Sequence, residues 1–394
     1  MNEQIRVLAL LGSRVLYGME RANIRVFEAL KSAGCQVLVV VEDHPGFSAV
    51  PNELAQRQID FVAVPFGGRR IEGYLLHFLF KNPILFLAGN WKIYQLIRKF
   101  SPTHILIPNP FYFLNCMLPL AFTRVPVLYR IGDLPATYNL FWRLIWRLIV
   151  ARVNQFVAVS EFIANELKKL GVTPERITVV CNAPPVRKQG PKPECEPENC
   201  QQFLFIGQLG EHKGIDRLIE AFRSIAPVYP QARLTIIGRI SAWRGDDWAR
   251  ALRDRALADP VLADRVNFVG ETEDIFTYLA SAAVLVVPSV CDEAYGIVAV
   301  EAKVSARPSV VFPSGGLPEL IEHGVDGYIC RDSSIKALAE GLCYYLDNPE
   351  RTIAHGRTAL ASVSRLGIDQ FDETWLSVFK CNLTENNGVT ASLT

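Results

Sequence analysis

The chain has 394 residues, half of them hydrophobic, with 41 basic and 40 acidic side chains and a net charge of +1. That length allows two or three domains at about 150 residues each, and the even charge balance argues against a nucleic-acid partner. Nine cysteines without a paired framework fit reduced thiols in a cytoplasmic protein, and no metal site is expected, since no Cys/His pair matches Cys195 and Cys200.

Short apolar strands alternate with amphipathic helices along the whole chain, the pattern of α/β folds with parallel sheets. The first residues read as a strand, Arg6–Leu11, and not as a signal peptide. The loop that follows, Gly12 to Arg21, opens a helix over Glu20–Ser32 and carries Gly18. A dinucleotide-binding loop would need a third glycine at a spacing that is missing. Further strands are predicted at Gln36–Val41, Phe61–Val64, His104–Ile107, Val127–Ile131, Gln155–Val159 and Ile177–Cys181, with helices at Trp91–Phe100 and Glu161–Leu170. No run reaches the ~18 uninterrupted apolar residues of a spanning helix. Residues 139–152 place Arg143 and Arg147 on one helical stripe and Trp142 and Trp146 on its neighbour. Together with the apolar stretches Tyr74 to Phe80 and Ile84 to Ala88, this segment has two readings. It is either a helix lying in a membrane interface or an internal helix with two arginines outward.

Five prolines and little apolar periodicity between Ala183 and Gln202 read as linker composition. The rhythm then restarts, with strands at Phe203–Ile206, Arg233–Ile237, Val266–Val269, Val284–Val287, Ser309–Phe312 and Gly327–Cys330. Helices are predicted at Gly214–Ala226, Asp247–Leu257, Thr272–Leu279, Gly296–Ser305 and Ser334–Asp347. The expected architecture is two doubly wound, Rossmann-like α/β domains facing a central cleft, 1–185 and 203–365, joined by a linker at 186–202. A C-terminal helix at 366–381, able to pack back on the first domain, and a frayed tail at 382–394 complete it. Ligands of such sheets bind at the carboxyl ends of the strands.

The segment after Val284–Val287 carries the most chemistry. Glu293 and Glu301 bracket the turn Tyr295-Gly296-Ile297, and the helix beginning there offers backbone N–H groups and a positive dipole end to a phosphate. Glu301, more than a turn into the helix, can accept hydrogen bonds from a ribose. Glu293, before the helix, would face what lies beyond the phosphates. A sugar nucleotide fits that arrangement; a solvated carboxylate pair at an ordinary helix start is the plain alternative.

Four segments together resemble the retaining GT-B glycosyltransferases of family 4, the glycogen-synthase-like group. They are Phe205-Ile206-Gly207-Gln208-Leu209-Gly210-Glu211-His212-Lys213-Gly214, the Glu293 to Glu301 motif, Phe312-Pro313-Ser314-Gly315-Gly316-Leu317-Pro318-Glu319 with its continuation to Tyr328, and Val159-Ser160-Glu161-Phe162 with Val180-Cys181-Asn182. The resemblance implies transfer of a sugar from a nucleoside-diphosphate donor with retention of configuration, without metal or cofactor, to a glycan or lipid-linked acceptor. A UDP-sugar is the first donor to try. Glu293, Lys213 and Asp133 would be catalytic. Gly207, Gln208, Lys213, Gly238, Arg239, Gly270, Gly296, Ile297, Val298 and Glu301 would bind the donor, and Gly18 and Arg130 the acceptor. Lys213 would neutralise charge growing on the leaving diphosphate. The implied location is cytoplasmic, with peripheral contact to the inner face of a membrane through 139–152 as an option. Two positions depart from the family pattern. Gln208 stands where the family carries arginine, which Arg239 or Arg244 could replace, and Gly132 stands where many relatives carry the histidine of a His-Asp pair. A non-catalytic sugar-nucleotide-binding subunit and a sugar-nucleotide epimerase of the same fold therefore stay open beside the transferase.

Overall fold

A computed structural model describes residues 4–13, 16–43, 46–65, 83–183, 200–239, 246–272, 274–367 and 370–390, with backbone alone at 246 and 382–390. The chain forms two units, Met1–Ala183 with Asp369–Thr394, and Pro184–Ile368. Most of the expected linker lies outside the described residues, and its last residue, Gln202, already pairs with Arg233 in the second sheet.

The first unit is built on seven parallel strands, β1 (Arg6–Leu10), β2 (Gln36–Glu42), β3 (Asp60–Val64), β4 (His104–Ile107), β5 (Val127–Ile131), β6 (Gln155–Ala158) and β7 (Ile177–Val179), in the order β3-β2-β1-β4-β5-β6-β7. Strand residues are buried on both sides because helices cover both faces. Val7, Ala9, Val39, Leu106 and Leu128 point to one face and share a core with Ile24 and Phe27 of helix Gly18–Ser32 and Trp375 and Phe379 of the C-terminal helix. Alternate residues point to the other face, where Tyr129 packs on Trp146 with ring centroids 5.7 Å apart. Helices Pro83–Phe100, Pro110–Asn115, Met117–Phe122 and Leu140–Arg152 lie between β3 and β6 in sequence and cover that second face, as right-handed crossovers require once strand order reverses beside β1.

Several elements differ from expectation. Helix Pro83–Phe100 starts before Trp91. The helices Ala49–Gln56, Pro110–Asn115, Met117–Phe122 and Pro349–Ser362 are additional. The C-terminal helix spans Phe371–Thr390, beginning later than 366 and continuing through most of the stretch expected to fray. It is anchored on helix Gly18–Ser32 by Arg25, whose Nη2 lies 2.6 Å from Asp372 Oδ1, and by the fully buried Trp375.

The second unit carries β8 (Gln202–Ile206), β9 (Arg233–Ile237), β10 (Val266–Gly270), β11 (Val284–Val287), β12 (Ser309–Val311) and β13 (Gly327–Ile329), all parallel, in the order β10-β9-β8-β11-β12-β13. Chain order reverses between β8 and β11. At such a switch point the loops after the two strands diverge to opposite faces and open a crevice at their carboxyl ends. Lys213 follows β8 and Glu293 follows β11, so the topology alone brings the two motifs to one place.

Candidate functional site

The loop after β8 folds into a short helical turn, Glu211–Lys213, closed by Lys213 N donating to Gly210 O at 2.9 Å. It is tied to the loop after β11, where Val290 N donates to His212 O at 3.0 Å. Lys213 Nζ forms an ion pair with Glu293 Oε1. The same carboxylate oxygen accepts from Ser289 Oγ at 2.6 Å. The loop after β12 closes the arrangement: Gly316 N donates to Glu293 O at 2.7 Å, and Ser314 Oγ donates to Cys291 O. Gly315 holds a φ of +55°, and a Cβ placed there would stand 2.1 Å from Glu293 O, so glycine is needed for the loop to lie this close. Three strand ends are thus fastened around one carboxylate.

Gly296, with φ +95°, begins the helix Ile297–Val304, and no side chain caps that helix end. The first amides of any helix have no intrahelical acceptor, so those of Ile297 and Val298 are left to a ligand or water. Ala299 N is satisfied by Gly296 O at 2.9 Å. Glu301 is buried one turn beyond Ile297 on the same side of the helix. Lys303, on the same helix, is fully buried and pairs with Asp326 and, at 2.9 Å, with Ser362 Oγ. That lysine holds the helix to the unit's body and takes no part in the site.

The glycines of the remaining donor set line the ends of β8, β9 and β10. Gly207 N donates to Ile237 O at 3.0 Å, Gly238 N to Gly270 O at 2.9 Å, and Leu209 N to Arg239 O at 2.9 Å. Arg239 is therefore beside the loop that carries the half-buried Gln208. Its guanidinium lies 3.9 Å from Glu271 in an exposed pair, of the kind that contributes little. Arg244 lies outside the described residues.

In the first unit, Gly18 is the first residue of its helix, which Glu20 caps by accepting from Tyr17 N at 3.0 Å. A Cβ at Gly18 would meet nothing within 4 Å, so local packing does not demand glycine there. Arg130, at the carboxyl half of β5, is buried, donating to Asn23 Oδ1 at 3.1 Å and to Asn182 Oδ1. Burial lowers its pKa to about 10, while the charge of nearby Asp133 pulls the other way. The group stays cationic at neutral pH. Asp133 itself is exposed, two residues past the strand. At Gly132 an added Cβ would stand 3.4 Å from Arg130 Nη1, so the guanidinium occupies the space beside the position where a histidine was expected.

Sequence reasoning gave no role to Ser289, Ser314, Asn23 or Asn182. Ser314 and Asn182 lie inside segments that carry the resemblance, but the bonds they make join residues too remote for the pattern to show. Ser289 follows a buried strand, a weak signal. Asn23 leaves no signal at all.

Residues 17–185 match the family model Glycosyltransferase Family 4, and residues 187–359 match Glycosyl transferases group 1. The two models together span residues 17–359 almost without a break. Over 177 residues the chain is 29% identical to an uncharacterized glycosyltransferase of Haemophilus influenzae, covering 45% of this chain and 48% of that protein. Over 161 residues it is 30% identical to the lipopolysaccharide core biosynthesis mannosyltransferase LpcC of Rhizobium leguminosarum bv. viciae, covering 40% and 44%. The chain thus spans about half the length of the curated relatives it matches. Among solved structures, HepE of Anabaena in complex with UDP-glucose superposes with a TM-score of 0.77 at 20% identity, covering 96% of this chain and all of that one. The GT-B fold of two Rossmann-like units is thereby shown.

Proposed function

We propose that this chain is a glycosyltransferase that moves a sugar from a nucleoside-diphosphate donor to a hydroxyl of a glycan or lipid-linked acceptor, with retention of configuration. The carrying observation is the pairing of Lys213 with Glu293 beside the uncapped start of helix Ile297–Val304. An ammonium and two amides without an intrahelical acceptor are the kinds of group that hold a diphosphate. The donor diphosphate would draw Lys213 from Glu293, and the freed carboxylate would accept hydrogen bonds from the sugar's hydroxyls. Glu301 would hold the ribose. In the transfer the bond from the anomeric carbon to the diphosphate oxygen breaks, and a bond from that carbon to the acceptor oxygen forms. The acceptor proton goes to the leaving phosphate. Lys213 and the helix amides stabilise the charge that grows there, the kind of term that dominates such catalysis. HepE, crystallised with UDP-glucose, makes UDP-sugars the first donors to try.

Incubation with a panel of UDP-, GDP- and ADP-sugars and glycan or glycolipid acceptors tests the proposal. Nucleotide release dependent on acceptor is expected, with the product anomer read by NMR. Release from none of them would remove the transferase reading. Gln208 and Gly132 favour one second reading, a subunit that binds sugar nucleotides without turnover. Binding by calorimetry without release would support it.

A further inference from the structure

We propose that the helical layer on one face of the first unit's sheet is a docking surface for an anionic lipid bilayer. Helix Pro83–Phe100 buries Asn90, Ile93 and Ile97. It turns Ile84, Leu87 and Trp91 outward, at the spacing of one helical stripe, with Ile84 79% and Trp91 61% exposed. Helix Leu140–Arg152 does the same: Trp142, Ile145, Trp146 and Ile149 face the sheet, while Leu140, Leu144 and Leu148 face solvent, Leu140 at 71% exposure. The tryptophans of 139–152 are therefore core residues, contrary to the interfacial reading of their stripe, because this helix spans a parallel crossover and its bulkier side fills the space over Tyr129. The exposed leucines are the other side of the same helix.

The two stripes belong to one layer. Leu118 N, on the short helix Met117–Phe122, donates to Asn90 Oδ1 at 3.3 Å, and Arg152 from helix Leu140–Arg152 donates to Leu120 O at 2.8 Å. Phe122, 79% exposed, sits on that connecting helix. Apolar side chains scattered singly over a surface need no account, but a run of them across three adjoining helices marks a docking face.

Charge decides what covers it. Between Pro83 and Ser160 the sequence has eight lysines and arginines and a single carboxylate, Asp133, in a chain that is otherwise balanced. Lys92, Arg124, Arg143 and Arg147 are exposed, and among the described residues they form no ion pair. A bilayer interface provides an acyl region for the leucines and Trp91 and headgroup phosphates for these cations at the same depth. No helix among the described residues is long and apolar enough to cross a membrane, so the contact is peripheral. The apolar stretch Tyr74 to Phe80 lies outside the described residues.

The inference does not rest on the transfer reaction, and its test reads lipid binding alone. The full chain is sedimented with vesicles of mixed phosphatidylcholine and phosphatidylglycerol and with phosphatidylcholine alone. Binding to the mixed vesicles, weakening as salt is raised, is expected. Arg143→Glu with Arg147→Glu should lower it by at least about fivefold per arginine, and Leu144→Asp with Leu148→Asp should abolish it. These positions are exposed, so thermal stability and nucleotide-induced thermal shifts should be unchanged. On the unmodified chain, brominated lipid should quench part of the tryptophan emission, and Trp91→Phe should remove that part. Equal sedimentation with neutral vesicles, insensitivity to these substitutions, or no quenching would overturn the proposal. So would a dimer that Leu144→Asp dissolves in a chain that ignores vesicles, since a second copy would then be the occupant.

Discussion

Lys213 and Glu293 make opposite predictions for nucleotide binding, although their side chains are paired with each other. Their side chains retain 26% and 17% exposure, so the pair is half screened. The diphosphate must compete with Glu293 for the ammonium. Lys213→Ala removes a charge-assisted hydrogen bond, about 1.5–3 kcal/mol, and should weaken UDP binding roughly 10- to 100-fold. Glu293→Gln keeps the shape and removes a carboxylate facing the expected phosphate, at a separation taken as about 6 Å, two hydrogen-bond lengths end to end through the Lys213 ammonium. The repulsion so relieved is about 0.7 kcal/mol with water's dielectric and about 3 kcal/mol at an effective value of 20. UDP should therefore bind Glu293→Gln at least about threefold tighter, with the gain shrinking as salt rises. Transfer by the same variant should fall, since the sugar loses its acceptor carboxylate. Isothermal calorimetry with UDP, not the UDP-sugar, separates the two effects. If Glu293→Gln weakens UDP binding as Lys213→Ala does, Glu293 does not compete for the lysine and the role given to it is wrong.

Gly315→Ala should push the loop after β12 away from Glu293, because the new methyl would lie 2.1 Å from its carbonyl oxygen. A stability loss of about 1–3 kcal/mol and a larger fall in transfer rate than in UDP affinity are expected from urea unfolding and kinetics. Lys303→Met should cost about 3–5 kcal/mol by leaving Asp326 charged and buried without its cation, and Lys303→Met with Asp326→Leu should recover most of it in the same unfolding assay. Burial lowers the pKa of His104 from 6.5 to about 4. The unfolded chain then binds more protons than the folded one between these values, so the contribution is complete above pH 6.5 and is lost as pH falls toward 4. At about 1.4 kcal/mol per pH unit, unfolding free energy should drop by about 3 kcal/mol across that window, and His104→Phe should flatten this part of the profile.

Strands such as His104–Ile107 and Val284–Val287 were legible because a strand covered on both faces reads as an unbroken apolar run. The order of motifs was enough to bring Lys213 and Glu293 together, since both follow strands that flank the switch point. Other features depended on contacts that periodicity does not carry. Helix Pro110–Asn115 is hidden by its proline, which reads as a breaker but sits in the first turn, where its missing N–H costs nothing, after Asn109 caps Phe111 N at 2.8 Å. Helix Leu140–Arg152 has two apolar stripes, and the sequence could not say whether the tryptophans or the leucines faced the sheet. The pairing of Lys303 with Asp326, and of Arg130 with Asn23 and Asn182, joins residues remote in sequence. The extent of the last helix was missed because 382–390 is polar, the composition of a solvent-facing turn as much as of a tail.

A structure of the chain with UDP bound tests the central claim most directly. The β-phosphate should lie within hydrogen-bond reach of Lys213 Nζ and of the amide of Ile297 or Val298, with the ribose hydroxyls on Glu301 and the Lys213–Glu293 pair parted. A diphosphate bound away from Lys213, with that pair still closed, would contradict it.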